Sequence, residues 1–138
     1  MRRGLVPALA RLTRIEWSLV VEAVWLLVAV RVALRTLSFT TMRRFLARRA
    51  APARAGGPTP EQIARAVRVV GRRVPGTTCL AEAVVGHSML QRHGHPAVLR
   101  IGVRRGDSAG LDAHAWVECE GTVAIGTVAD LADYAVLS

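Results

Sequence analysis

Apolar residues between about Arg11 and Arg35 cover most of the circumference of a helix, with Arg14, Glu16, Glu22 and Arg31 the charged residues among them. That pattern predicts one long helix buried on more than one side, by its own domain or by a partner. The basic stretch TTMRRFLARR is expected to continue it after a bend near Ser38. AAPARAGGPTP then has the Pro, Gly and Ala content of a linker. The boundary is placed there, giving a basic helical segment at 1–54 and a second domain at 55–138.

Thr59-Pro60-Glu61-Gln62 reads as a helix start: threonine cap, proline in the first turn, glutamine three residues after the cap. Ile63, Ala66, Val67 and Val70 follow at i, i+3, i+4 and i+7, one apolar stripe. Val74-Pro75-Gly76 ends that helix. A further helix is expected from Thr77 or Thr78 to about His93, with Gly94 as its left-handed terminator. Leu80, Ala83, Val84 and Leu90 make its inner face, with His87 in the same row. Past Gly94 the period falls from 3.6 to 2. PAVLRIGVRR, LDAHAWVECE and TVAIG read as three strands joined by short hairpins, hence an antiparallel sheet. The expected class is α+β: helices packed on a small antiparallel sheet, with an N-terminal helical extension.

At 138 residues the chain is large enough to bury a core without disulfides or structural metals. Cys79 and Cys119 are too few and too far apart for a disulfide framework, so a reducing, cytoplasmic setting is expected. Charge divides the chain sharply. Residues 1–54 hold eleven arginines against Glu16 and Glu22, which accounts for the whole formal charge of +9, while 55–138 is neutral. Such a segment favours acidic partners. No nucleic-acid-binding motif accompanies the arginines, so nucleic acid is not among the expected partners. Nor is a membrane span expected. The longest uncharged stretch inside the apolar segment, Ala23 to Val30, falls far short of the ~20 residues a bilayer requires. Packing on protein is the expectation, with peripheral membrane contact as the alternative.

Candidate chemistry rests on two residues. Alternation along LDAHAWVECE puts Leu111, Ala113, Ala115, Val117 and Cys119 on one strand face. That is the core face, and Cys119 is read as core filler. Asp112, His114, Trp116, Glu118 and Glu120 point the other way. Cys79 falls at a helix start, where backbone N–H groups and the helix dipole favour an anion. Were the start of that helix to cross the His114 face, thiol and imidazole would meet as a nucleophile–base pair. The bland readings are a small buried cysteine and a satisfied strand histidine. His87 is expected to be packed, and His93 and His95 to flank a helix end. Zinc is not expected, because there is no C-x-x-C and four ligands would have to come from scattered singletons. No cofactor is expected.

The joint pattern TTCLAEAVVGHSMLQRHGHPAVLRIGVRR, a short gap, then AHAWVECEG resembles the transglutaminase-like cysteine proteases of lasso-peptide biosynthesis, the leader peptidases. Cys79-Leu80 opening a helix, Leu99 to Val103, and Ala113 to Glu118 before a turn glycine carry the likeness. The apolar, arginine-rich N-terminal half is similar too. The resemblance implies a papain/transglutaminase-like fold and a Cys-His-Asp triad with Cys79 as nucleophile and His114 as general base. It implies as partners the leader of a precursor peptide, a small leader-recognition protein and the lasso cyclase, with residues 1–54 as docking surface. The family's aspartate falls about where Gly126 and Thr127 stand, and no acid is there. Asp130 is the expected substitute, with Asp112 and Glu118 on the strand of His114 as alternatives. Without an orienting acid the chain would be a weak or inactive peptide-binding relative in the same pathway.

Overall fold

In a computed structural model, the described residues are 14–38, 40–41, 44, 52, 56–106, 110–127 and 131–137. Helix α1 is Arg14–Thr36, α2 is Pro60–Arg73 and α3 is Cys79–Arg92. Strands β1 (Ala97–Arg105), β2 (Leu111–Cys119) and β3 (Thr122–Ile125) follow, and a 3-10 turn at Leu131–Asp133 leads into β4 (Ala135–Val136). The sheet order is β3-β2-β1-β4, with every pairing antiparallel. Three helices on a small antiparallel sheet is the expected α+β architecture.

Local chemistry sets the element ends. Thr59 Oγ1 accepts the Gln62 N–H at 3.2 Å while Gln62 Oε1 accepts the Thr59 N–H at 3.0 Å, a reciprocal capping box that starts α2. Gly94, at φ +82°, closes α3 as expected. Glu120 and Gly121 both have positive φ, the two-residue turn whose twist suits a β2–β3 hairpin.

The molecule is layered. Helix α1 packs on α2 and α3, and α3 packs on β1, β2 and β3. Leu19, Ala23, Leu27 and Val30 of α1 join Ile63, Val67 and Val70 of α2 and Ala83, Val84, Met89 and Leu90 of α3 in one core. Ala115, Val117, Cys119 and Ile125 close it from the sheet. At the other end of β2, Leu111 is 73% exposed and Ala113 is exposed as well. The expected core face thus extends only over the part of β2 that the helices cover.

The charged residues of α1 explain how so apolar a helix is oriented. Glu16 pairs with Arg65 of α2 at 3.3 Å. Glu22 pairs with Arg92 at 3.5 Å and His93 at 2.9 Å, at the end of α3. Arg31 Nη1 donates to the Pro75 carbonyl at 3.2 Å. All three are partly buried on the protein side, between solvent and core. Pairs that leave one partner largely in solvent, as Arg65 and Arg92 are here, contribute little stability.

Strand β4 has no counterpart among the expected elements. Two residues are too few to show alternation, yet Gly102 pairs with Val136 and Val103 with Ala135. Leu90→Ala, at a fully buried position of α3, should cost about 2–5 kcal/mol. Thr59→Ala, which removes only a cap, should cost about 1 kcal/mol. Urea unfolding followed by circular dichroism measures both.

Candidate functional site

Cys79 is the first residue of α3, and the two threonines before it place it there. Thr77 Oγ1 donates to the Val74 carbonyl at 2.8 Å, which ties off the Pro75-Gly76 turn. Thr78 has extended backbone and caps the helix, its hydroxyl accepting the Ala81 N–H at 3.1 Å. The Glu82 N–H reaches the Thr78 carbonyl at 3.0 Å. A helix start has four N–H groups without intrahelical partners. The cap satisfies that of Ala81, the Glu82 bond being the first of the helix itself, which leaves those of Cys79 and Leu80 as donors for something else. The Cys79 thiol is exposed and makes no hydrogen bond among the described residues.

His114 sits at mid-strand in β2, opposite Gly102 of β1. Its Nε2 lies 2.6 Å from the Gly126 carbonyl oxygen. A carbonyl only accepts, so Nε2 carries the proton, and in the neutral ring Nδ1 keeps its lone pair. The ring stacks on Trp116, with centroids 6.1 Å apart and planes 19° apart, and meets Tyr134 at 5.6 Å in a tilted contact. Arg104 lies 4.8 Å from the centroid of the Tyr134 ring. Trp116, 3% exposed, is buried on the face of β2 that alternation points away from the helices, under this small aromatic layer. The layer depends on Gly102. A Cβ there would come within 2.9 Å of the Trp116 ring and 3.0 Å of the Tyr134 Cβ.

The acids expected near His114 are placed as follows. Asp130 lies outside the described residues. Asp112 pairs with Arg104 at 3.6 Å. Glu118 accepts the Trp116 Nε1–H at 3.1 Å and meets Arg100 at 3.4 Å. What holds the imidazole is a main-chain carbonyl at the position where an acid was sought. Residue 126 has φ +87°, and a Cβ on it would come within 2.8 Å of the Ala115 carbonyl and 3.0 Å of Trp116. Only glycine lets the chain pass close enough there for its carbonyl to reach Nε2. A backbone acceptor leaves no acidic letter in a sequence; the glycine closing TVAIG was the available signal.

Glu82 is a partly buried carboxylate in the first turn of α3 that sequence reasoning did not single out. It lies three positions beyond Cys79, hence on the same side of α3. Burial pushes its carboxyl above the ordinary 4.5, opposed by the positive charge of Arg72, of Arg68 and of His114. His114 is the weakest of these three influences, and no direct hydrogen bond joins Cys79 and His114 among the described residues.

The other candidates are structural. His87 is buried, its Nε2 donating to the Ala97 carbonyl at 3.1 Å, and burial pushes the ring below its ordinary 6.5. That bond ties α3 to the start of β1. His93 is the partner of Glu22, and His95 Nε2 donates to the Pro58 carbonyl at 2.7 Å. Cys119 is buried core, and burial pushes its thiol up. Among the described residues no three His, Cys, Asp or Glu side chains cluster so as to hold a metal ion. A cleft of about 230 Å³ lined by Glu61, Arg68, Cys119 and Ala124 includes neither Cys79 nor His114.

A family model described as the transglutaminase-like superfamily matches residues 24–138, from within α1 through β4. No curated protein and no solved structure matches the chain.

Glu82 yields a pH prediction whose sign follows from linkage. A carboxyl with its folded-state pKa raised makes its best contribution below about 4.5 and loses it as pH rises through the folded value. Glu82→Gln should therefore raise the melting temperature at pH 7 and leave it nearly unchanged near pH 4. Scanning calorimetry at the two pH values measures the difference; an equal gain at both would mean the charge is not its source.

Proposed function

Because the chain belongs to the transglutaminase-like superfamily, which includes cysteine proteases and acyltransferases, we propose that it is a cysteine peptidase that removes the leader from a lasso-type precursor peptide. The observation that supports this most is the state of His114. Its Nε2–H is committed to the Gly126 carbonyl, which leaves Nδ1 to take a proton, while Cys79 stands at a helix start.

The chemistry is acyl transfer. His114 Nδ1 accepts the proton of the Cys79 thiol as Sγ attacks the scissile carbonyl carbon. Negative charge develops on the carbonyl oxygen, and the free Cys79 N–H at the start of α3 is the donor placed to meet it. Collapse breaks the C–N bond, His114 gives its proton to the leaving amine, and a thioester remains on Cys79. Water then attacks the thioester, losing a proton to Nδ1; the acid leaves and the thiol is restored. Gly126 does for the imidazole what a carboxylate does in a triad, holding ring and tautomer. A neutral carbonyl stabilises the imidazolium less than an anion would. The resemblance of the Cys79 and His114 segments to leader peptidases supports the substrate. In this reading a small recognition protein delivers the leader, and the freed core passes to a cyclase.

A second reading, a leader-binding protein without turnover, is favoured by the exposed Cys79 thiol that makes no hydrogen bond to His114. One experiment separates the two. Purified chain, precursor and recognition protein are incubated and followed by mass spectrometry. The peptidase reading predicts leader release, reduced about 10³-fold or more by Cys79→Ala and by His114→Ala. Release unchanged in Cys79→Ala would refute the mechanism. Binding without release, with Cys79 alkylation by iodoacetamide unaffected by His114→Ala, would establish the second reading.

A further inference from the structure

Among the described residues, the outer face of α1 is left exposed. Trp17, Val21, Val24, Trp25, Val28 and Val32 follow one another at helical spacing opposite the buried stripe, and each is exposed. Trp25 is 73% exposed and Val28 56%. An uninterrupted row of this kind is not an ordinary scatter of surface apolar residues. From Ile15 to Val32 it runs about 26 Å at helical rise. No charge breaks it, because Glu16, Glu22 and Arg31 are all turned to the protein side. Exposed arginines stand at its two ends, Arg14 and Arg35. The N-terminal 54 residues carry the entire net charge of +9.

We propose that this face of α1 seats the protein on an anionic lipid surface, with the helix lying in the plane of the interface. Three observations favour lipid over a protein partner. The face offers valine and tryptophan but no side chain that would set the register of a protein interface, whereas a lipid surface demands none. The polar boundary at both ends is arginine, which complements anionic headgroups. Both tryptophans of the N-terminal half lie on it, and indole rings settle at the headgroup level. Length and hydropathy alone would let α1 cross a membrane. The ion pairs of its inner face, and the core stripe it shares with α2 and α3, instead keep that side on protein. The sheet lies on the far side of α3 from α1, so a seated molecule keeps His114 and its aromatic layer away from the lipid.

The test uses the full chain and extruded vesicles of phosphatidylcholine, with and without phosphatidylglycerol. The protein should sediment with the anionic vesicles and be released by high salt. Its tryptophan emission should shift to the blue, since two of its three tryptophans are on this face and Trp116 is already buried. Val28→Glu and Trp25→Glu change exposed positions, and circular dichroism confirms that they fold. Each should weaken partitioning roughly tenfold, because binding scales with the apolar area buried. The proposal is overturned if the wild-type chain stays in the supernatant with both vesicle types, or if both variants partition as the wild type does. It is equally overturned if these substitutions abolish self-association or binding of the recognition protein while vesicle binding is nil.

Discussion

Helix α3 has to be buried on two sides at once, and the rest of the molecule is arranged around that requirement. Residues from Ala81 to Leu90 are buried with few exceptions, against α1 and α2 on one side and against the sheet on the other. Gly86 shows how tight the second contact is: a Cβ there would come within 1.9 Å of Ile125 Cδ1 in β3. A helix clamped so closely cannot slide along the sheet. Its first residue, Cys79, therefore has a fixed relation to β2, and β2 carries His114.

The sheet serves two environments. Its inner face completes the core with Ala115, Val117 and Ile125. On the outer side a small aromatic group, Trp116, Tyr134 and His114, is closed by Gly102, by Gly126 and by the short β4. The second group is where the fold departs from what stability alone would ask. A histidine half-buried between aromatic rings, with one nitrogen committed to a main-chain carbonyl, has its orientation and tautomer defined. That is a condition for general base catalysis. It also explains why a missing carboxylate at 126–127 need not leave the imidazole loose.

Much of this was legible from residues alone. The capped start of α2, the threonines ahead of Cys79, the change of period after Gly94 and the face-sorting of β2 all follow from local rules that the structure obeys. What escaped depends on contacts between distant segments. Tyr134 stands just before a two-residue strand with no pattern to announce it. Glu82 matters because of where α3 lies, which its own helical repeat does not disclose. The partner of His114 is a backbone atom, so a search for acids looked at the right place and found nothing. The long apolar helix was expected to be buried on more than one side; it packs on α2 and α3 through a single face, which includes Leu19, Ala23, Leu27, Val30 and Leu34, and its opposite face is exposed. Its charged residues, read as interruptions, are what leave its outer face unbroken.

The central claim is that His114 is held through Nε2 so that Nδ1 is the basic nitrogen offered to Cys79. Nitrogen-15 NMR of the imidazoles tests it most directly, the His114 signals being assigned by their loss in His114→Gln. At a pH where the ring is neutral, the account predicts a single Nε2-protonated tautomer, with an Nδ1 shift that moves when Cys79 is alkylated. An Nδ1-protonated or freely averaging ring, indifferent to Cys79, would contradict it.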